Sequence, residues 1–255
     1  MNASRVAIVT GGAGSIGSAT ARKLAAAGHH LVILDRAGPA ISSVVDALVD
    51  SGASAEGHVL DVTDESAVAE LIAAIDSKHG RIDILVNNAG AHAKNADGTP
   101  IMAADLTTAQ WSNDIAVNLT APFVLARQAL PAMVRNKYGR IVNIASRGGR
   151  AYIYQTASYG ASKAGLIGLT RVLAGEFGKF GITANVVAPG RIKTPGTDAA
   201  PDTSNLSHRK YLENTPVARI GVPDEIAEAV VYLSSEGAGF VTGAIIDVNG
   251  GNFMA

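Results

Sequence analysis

No cysteine occurs in the chain, which excludes disulfides and thiolate chemistry and accords with a reducing compartment. Net charge is nearly absent as well. Lys and Arg number 21 against 22 Asp and Glu, a formal charge of −1, which gives no reason to expect nucleic acid or an anionic membrane as partner. No apolar run approaches the ~18 residues that a spanning helix needs. The first ten residues lead straight into a strand pattern, with no basic segment followed by a hydrophobic signal region. A soluble, cytoplasmic protein is expected. No internal repeat or linker divides the sequence, and 255 residues, 47% hydrophobic, suit one large α/β domain better than two small ones.

What the chain does have is a steady alternation of short apolar runs and helical patterns. Residues 5–10 form a β-branched apolar run that stops at a glycine turn holding Gly11, Gly14, Ser15, Ile16 and Gly17, and a helical pattern follows through residue 28. Strand, glycine turn and helix in that order leave backbone N–H groups and a helix N-terminus pointing at a phosphate. A second apolar run, residues 29–35, ends in Asp35, 18 positions after Gly17. An acid there can accept hydrogen bonds from both ribose hydroxyls of NAD while repelling the extra phosphate of NADP. Arg36 beside it can soften that preference.

Further along, helices are expected over residues 39–50 and 64–79, strands over 57–61 and 83–87, and a long helical pattern over 107–137, interrupted near Pro122. Asn118 lies inside that pattern, where a polar amide among apolar neighbours is ordinarily a hydrogen-bonded core residue. Strands over 139–145, 182–188 and 244–248 and helices over 156–175 and 223–235 complete the series. Six or seven strands alternating with helices describe a Rossmann fold, a doubly wound parallel sheet.

Ser146 follows the strand at 139–145, Tyr159 comes 13 positions later, and Lys163 four beyond that. On a helix Tyr159 and Lys163 share a face, one turn apart. A free tyrosine, with a pKa near ~10, is a poor base at neutral pH, but a lysine ammonium beside it favours the phenolate. Ser146, at the C-terminal end of its strand, can hold a substrate oxygen next to the tyrosine. Alone, tyrosine and lysine at this spacing read more readily as a surface pair. Set beside the nucleotide-binding features, they suit proton transfer at a carbinol or carbonyl.

These residues together, with Asp61-Val62, Asn87 to Gly90, Asn118, Pro189-Gly190 and Thr194, resemble the short-chain dehydrogenase/reductase family over essentially the whole chain. The run from Gly139 and the closing residues 248–251 look most like its 3-oxoacyl-carrier-protein reductase branch and the catabolic relatives of that branch. The resemblance implies a tetrad of Asn118, Ser146, Tyr159 and Lys163. In it the tyrosine transfers the proton and the serine positions the substrate oxygen. The lysine lowers the tyrosine pKa and holds the nicotinamide ribose, and the asparagine supports a water that links the lysine to solvent.

For the cofactor, the resemblance places Gly11 and Gly17 in the phosphate turn, with Ser15 where the family usually has another glycine. It places Asp61 and Val62 at the adenine, and Asn88, Ala89 and Gly90 beside the adenine ribose. Pro189, Gly190, Ile192 and Thr194 fall at the nicotinamide carboxamide. It also implies a homodimer or homotetramer, to which the small residues Gly160, Ala161, Ala164, Gly165 and Gly168 could give a close helix contact. The expected activity is NAD-dependent oxidation of a small secondary alcohol to a ketone. An NADPH-dependent 3-oxoacyl thioester reductase is the rival enzyme, and a dinucleotide-binding regulatory protein is the non-enzymatic alternative, opposed by the intact tetrad.

Arg147, Arg150, Arg191 and Lys193 can be read in two ways, as holders of an anionic group on the substrate or as loop cations that are solvated or paired with Asp198, Asp202 or a neighbouring subunit. Tyr152 and Tyr154 fall between serine and tyrosine, where the family's pocket is lined, and are candidate substrate contacts with Ser146 and Arg147. His92 reads as a loop histidine. Residues 195–215, rich in Pro, Gly, Asp, Ser and Asn, suit a mobile lid over the substrate. No His, Asp and Glu spacing along the chain suggests a metal site.

Overall fold

The computed structural model describes residues 4–153, 155–194 and 206–254, with only the backbone of 206–208. Seven strands form one sheet: β1 (Val6–Thr10), β2 (His30–Asp35), β3 (Ala55–Val59), β4 (Ile84–Asn87), β5 (Gly139–Ile144), β6 (Ile182–Pro189) and β7 (Ile245–Val248). Their spatial order is β3-β2-β1-β4-β5-β6-β7 and every pairing is parallel. The chain winds outward from β1 in one direction and then from β4 in the other. The switch point between β1 and β4 opens a crevice at the carboxyl ends of the strands, where doubly wound sheets bind ligands.

Parallel strands covered on both sides need apolar residues on both faces, and the central strands have them. Alternate residues belong to different cores. Ile8, Leu85 and Ile141 pack with the helices α3 (Glu65–His79), α5 (Ala121–Asn136) and α6 (Ala157–Phe177). Ala7, Val9, Ile84, Val86 and Val142 pack on the opposite face with α1 (Ser15–Ala26), α2 (Gly38–Asp50) and α8 (Pro223–Ser234). Helix α3 starts where Asp64 accepts a hydrogen bond from the Ala67 N–H at 3.0 Å and stops at Gly80 in the left-handed region.

Two expectations need correction, and a third falls partly outside the described residues. The strand expected at 57–61 is Ala55–Val59, because the ladder with Leu31 to Asp35 ends there and leaves Leu60 and Asp61 beyond it. The helical pattern over 107–137 is interrupted before Pro122: α4 (Thr108–Ile115) passes into one π-helical stretch, Ala116–Thr120, and α5 begins after it. Pro122 follows the π-helical stretch directly, within a continuous helical path, and its missing N–H removes one bond of the ladder there. Of the expected lid, residues 195–205 lie outside the described residues, and Leu206–Glu213 is a helix, α7.

Candidate active site

The glycine turn after β1 is built for close backbone approach. Gly11 has φ +60°, and a Cβ on it would lie 2.9 Å from the Cα of Ala89. A Cβ at Gly17 would lie 2.1 Å from the Gly11 carbonyl oxygen. Asn88 braces the same turn from the end of β4, donating from Nδ2 to the carbonyls of Thr10 and Gly11, each at 3.0 Å. Thr10 Oγ1 accepts from the N–H groups of Asn88 and Ala89, each at 3.0 Å. Ser15 opens α1 in ordinary helical backbone, so the glycine that the family usually carries there is not required for its conformation. No side chain caps this helix and no acid stands in its first turn. Its leading N–H groups are therefore available to an anion.

Asp35 ends β2 at the edge of that turn. Its Oδ2 accepts from the Ala13 N–H at 3.1 Å and its Oδ1 from the Arg36 N–H at 2.7 Å, which fixes the carboxylate over the glycine loop. Asp61 is held by Thr63, whose N–H and hydroxyl both donate to its Oδ1, and these bonds lower its pKa. A cleft of about 360 Å³ runs past Gly11, Gly14, Ser15, Ile16, Asp35 and Arg36, then Asp61, Val62, Asn88, Ala89, Gly90 and Thr194. A second cleft of about 330 Å³ shares Ile16, Asn88 and Gly90 with it and continues to Ser146, Tyr159, Lys163, Pro189, Gly190 and Ile192. Of the residues expected at cofactor and tetrad, only Gly17 and Asn118 lie behind these walls.

Asn118 works from behind. Fully buried in the π-helical stretch, it accepts from the Ala91 N–H at 2.9 Å, donates to the Ala91 carbonyl at 2.8 Å and donates to Ser162 Oγ at 3.1 Å. It thus fastens the loop after β4 to α6. Ser146 Oγ accepts from the Gly148 N–H at 3.0 Å and is hydrogen-bonded to Tyr159. The short turn Arg147–Gly149 packs against α6 so closely that a Cβ on Gly149 would meet the Lys163 backbone at 2.7 Å.

The charge relation between Tyr159 and Lys163 differs from the expectation. Burial pushes the Tyr159 phenol above its ordinary value, the Ser146 hydrogen bond opposes this, and the Asp114 carboxylate adds to the rise. Lys163 Nζ lies 5.9 Å from the tyrosine ring centroid and donates to the Ile144 carbonyl at 2.8 Å, and burial lowers its pKa to about 8. In the ligand-free chain, burial therefore outweighs any lowering of the phenol by the lysine. The ammonium is itself disfavoured by the burial that places it in the cleft.

Beside the tyrosine stand His92, read above as a loop histidine, and Asp114, which the sequence did not mark. The His92 ring stacks on Tyr159, with centroids 4.3 Å apart and planes 21° apart, and lines the second cleft. Burial holds this imidazole below its ordinary pKa. Asp114, fully buried, accepts from the Ala93 N–H and from Ser158 Oγ and so ties the same loop to α6. His92 lies two residues past the Asn87 to Gly90 motif, a position that could have signalled it.

Of the expected substrate contacts, Ser146 lines the second cleft, while Arg147 and Tyr152 line neither cleft. Arg147 is hydrogen-bonded to Asn252 and lies over the Tyr211 ring. Arg150 is ion-paired with Asp247 and lies 4.9 Å from the Phe253 ring centroid. Both engage the C-terminal part of the chain. Tyr152 is 93% exposed, and Tyr154 lies outside the described residues. Tyr211, on α7, accepts from the Arg191 N–H at 2.9 Å, so this part of the expected lid packs on the loop that follows β6.

Comparison with known proteins agrees with this architecture. A family model described as enoyl-(acyl carrier protein) reductase matches residues 11–252. The chain is 39% identical to the BbsD subunit of a hydroxy(phenyl)methylsuccinyl-CoA dehydrogenase from Thauera aromatica, over 98% of this chain and 97% of that one. It is 36% identical to the 3-oxoacyl-acyl-carrier-protein reductase FabG of Escherichia coli, over 98% of both. Among solved structures, a 3-oxoacyl-acyl-carrier-protein reductase from Brucella melitensis with bound NAD superimposes with a TM-score of 0.89 at 34% identity, covering 98% of this chain and 92% of that one.

Proposed function

Because this chain belongs to the short-chain dehydrogenase/reductase family, we propose that it is an NAD-linked oxidoreductase interconverting a secondary alcohol and a ketone, with Tyr159 as proton carrier. The observation that carries the cofactor preference is Asp35. Its carboxylate, fixed by Ala13 and Arg36, stands in the wall of the first cleft next to the glycine turn. An adenosine ribose there would find an acceptor for its hydroxyls, and a 2′-phosphate would meet a like charge.

The residues fit a dinucleotide. The uncapped start of α1 and the glycine turn would hold the pyrophosphate, Asp35 one ribose and Lys163 the other. The bound cofactor supplies a hydride acceptor at its nicotinamide C4 and, when oxidised, a positive charge near the phenol. Ser146 holds the substrate oxygen. The carbinol proton passes to the Tyr159 phenolate in the oxidising direction, and the phenol returns it to the carbonyl oxygen in the reducing direction. Since burial raises the phenol, its ionisation depends on positive charge in the cleft, and the Lys163 ammonium is the protein's own source.

A second reading is an NADPH-dependent reductase of 3-oxoacyl thioesters. The FabG relative supports it, as does Arg36 in the cleft wall, where a guanidinium could pair with a 2′-phosphate. Steady-state rates with NAD and NADP separate the two. Asp35→Ser should move the ratio of kcat/KM toward NADP by about tenfold or more, which is about 1.4 kcal/mol. An unchanged ratio would remove Asp35 from the ribose site.

Association into a homodimer or homotetramer belongs to the same proposal. An apolar groove between α5 and α6, lined by Phe123, Leu130, Val134, Leu173 and Phe177, supports it. Among the small residues expected to serve a contact, Gly165 is instead packed against Leu119 within the chain, while Gly168 is open. Among the described residues no helix is long and apolar enough to cross a membrane.

A further inference from the structure

Four residues from three separate elements meet where α3 covers the β2-β3 edge of the sheet. His30 opens β2, Glu56 and His58 alternate along β3 and so share one face, and His79 is the last residue of α3. The pairing of β2 with β3 sets Glu56 beside Val32 and His58 beside Leu34, and α3 returns over that face. Around one oxygen, Glu56 Oε1, stand three imidazole nitrogens: His79 Nε2 at 2.9 Å, His30 Nε2 at 3.8 Å and His58 Nε2 at 3.8 Å. The donor atoms of His30, Glu56 and His79 all lie within 4.8 Å of one another.

A hydrogen-bonded ion network accounts for only part of this. His79 and Lys78 both bond to Glu56, Lys78 through Oε2, the other carboxylate oxygen. The Nε2 atoms of His30 and His58 are buried and, among the described residues, have no hydrogen-bond partner. His30 Nδ1, by contrast, is engaged by Ser54 Oγ at 2.7 Å, which fixes the ring with Nε2 toward the cluster. That arrangement, one ring nitrogen held by an outer partner and the other presented, is how metal-binding histidines are oriented. Zinc binds imidazole nitrogen and carboxylate oxygen at ~2.0–2.2 Å, so that neighbouring ligands of a tetrahedral ion stand roughly 3.3–3.5 Å apart. The spacings from Glu56 Oε1 to the three imidazole nitrogens, 2.9 to 3.8 Å, bracket this value.

We propose that His30, Glu56 and His79, with His58 as fourth ligand, form a binding site for zinc or a similar divalent transition metal. Such an ion gives both orphan nitrogens a partner and joins the edge strand β3 to β2 and α3. Lys78 is largely exposed and can leave without disturbing Oε1. His30 and Asp35 are the first and last residues of β2, roughly 16 Å apart at ~3.3 Å per residue. None of the four ligands lines either cleft of the candidate active site, so the site is structural and separate from the redox cleft.

The test uses the full chain, stripped with a chelator and then titrated with zinc chloride by calorimetry and with cobalt chloride by visible absorption. The proposal expects about one zinc per chain, tetrahedral cobalt bands and a zinc-dependent rise in Tm. In a His30→Gln/His79→Gln double variant the affinity should fall by more than the ~10–100-fold that loss of an outer-shell partner costs. NAD binding reports whether the variant is folded. Glu56→Gln is the substitute if the double variant is not. Absence of cobalt bands in the wild-type chain, or equal zinc affinity in a folded variant, overturns the assignment.

Discussion

Lys163 concentrates the conflict between stability and function in one side chain. It is 4% exposed, its Nζ bonds to the Ile144 carbonyl, and burial lowers its pKa from 10.5 to about 8. Between those two values the folded chain holds fewer protons at this residue than the unfolded chain, so stability rises with pH across that window. Below pH 8 the cost is fully present. Replacing Lys163 by Met removes the charge and keeps most of the volume. At pH 7 this should stabilise the ligand-free chain by roughly 2 kcal/mol, taking ~1.4 kcal/mol per pKa unit and subtracting ~1 kcal/mol for the lost hydrogen bond. The gain should shrink toward pH 10, while turnover collapses at every pH. Urea unfolding at the two pH values measures it, and a variant less stable than wild type at pH 7 would contradict this reading of the burial. Tyrosine and lysine on one helix face were legible from their spacing. The distance between Nζ and the phenol was not, because it depends on the Ile144 carbonyl, which competes for the ammonium.

Among the elements, the π-helical stretch Ala116–Thr120 does the most for the site with the least sequence signal. A π-turn adds one residue to the helical repeat and reorients the side chains around it. Here Asn118 lies wholly inside, with three hydrogen bonds to Ala91 and Ser162. Periodicity with a 3.6-residue repeat indicated a helix interrupted near Pro122 and a buried amide, but it could not locate the extra residue. Replacing Asn118 by Ala strands the Ala91 N–H and carbonyl and should cost about 2–4 kcal/mol in urea unfolding. It should also lower kcat, since the loop that carries His92 against Tyr159 loses its anchor. A loss below about 0.5 kcal/mol would mean that the loop finds other partners. The ends of β1, β2 and β4 were far more legible. Thr10 with Gly11, then Asp35, then Asn88 are each fixed by a turn that only certain residue types can make.

For the molecule as a whole, the doubly wound sheet could be read from apolar runs because strands buried on both faces must be apolar throughout. Ile8 and Val9 illustrate it, neighbours in sequence that belong to opposite cores. Contacts that depend on which remote segments meet were not legible. His30, Glu56, His58 and His79 carry no common spacing, and Arg150 gives no hint of Asp247. The central claim concerns the cleft at the switch point of that sheet, where the glycine turn, Asp35 and the Ser146, Tyr159 and Lys163 cluster are brought together. It is tested most directly by following reduction of NAD against a panel of secondary, cyclic and hydroxy-acid alcohols with the wild-type chain and Tyr159→Phe. The account predicts turnover of one chemical group by the wild type, a loss of ~10²–10⁴-fold in the variant and little change in NAD affinity. Equal activity in the variant would contradict the role of Tyr159, and silence with NAD alongside NADPH-dependent reduction of a 3-oxoacyl thioester would contradict the alcohol-oxidising assignment.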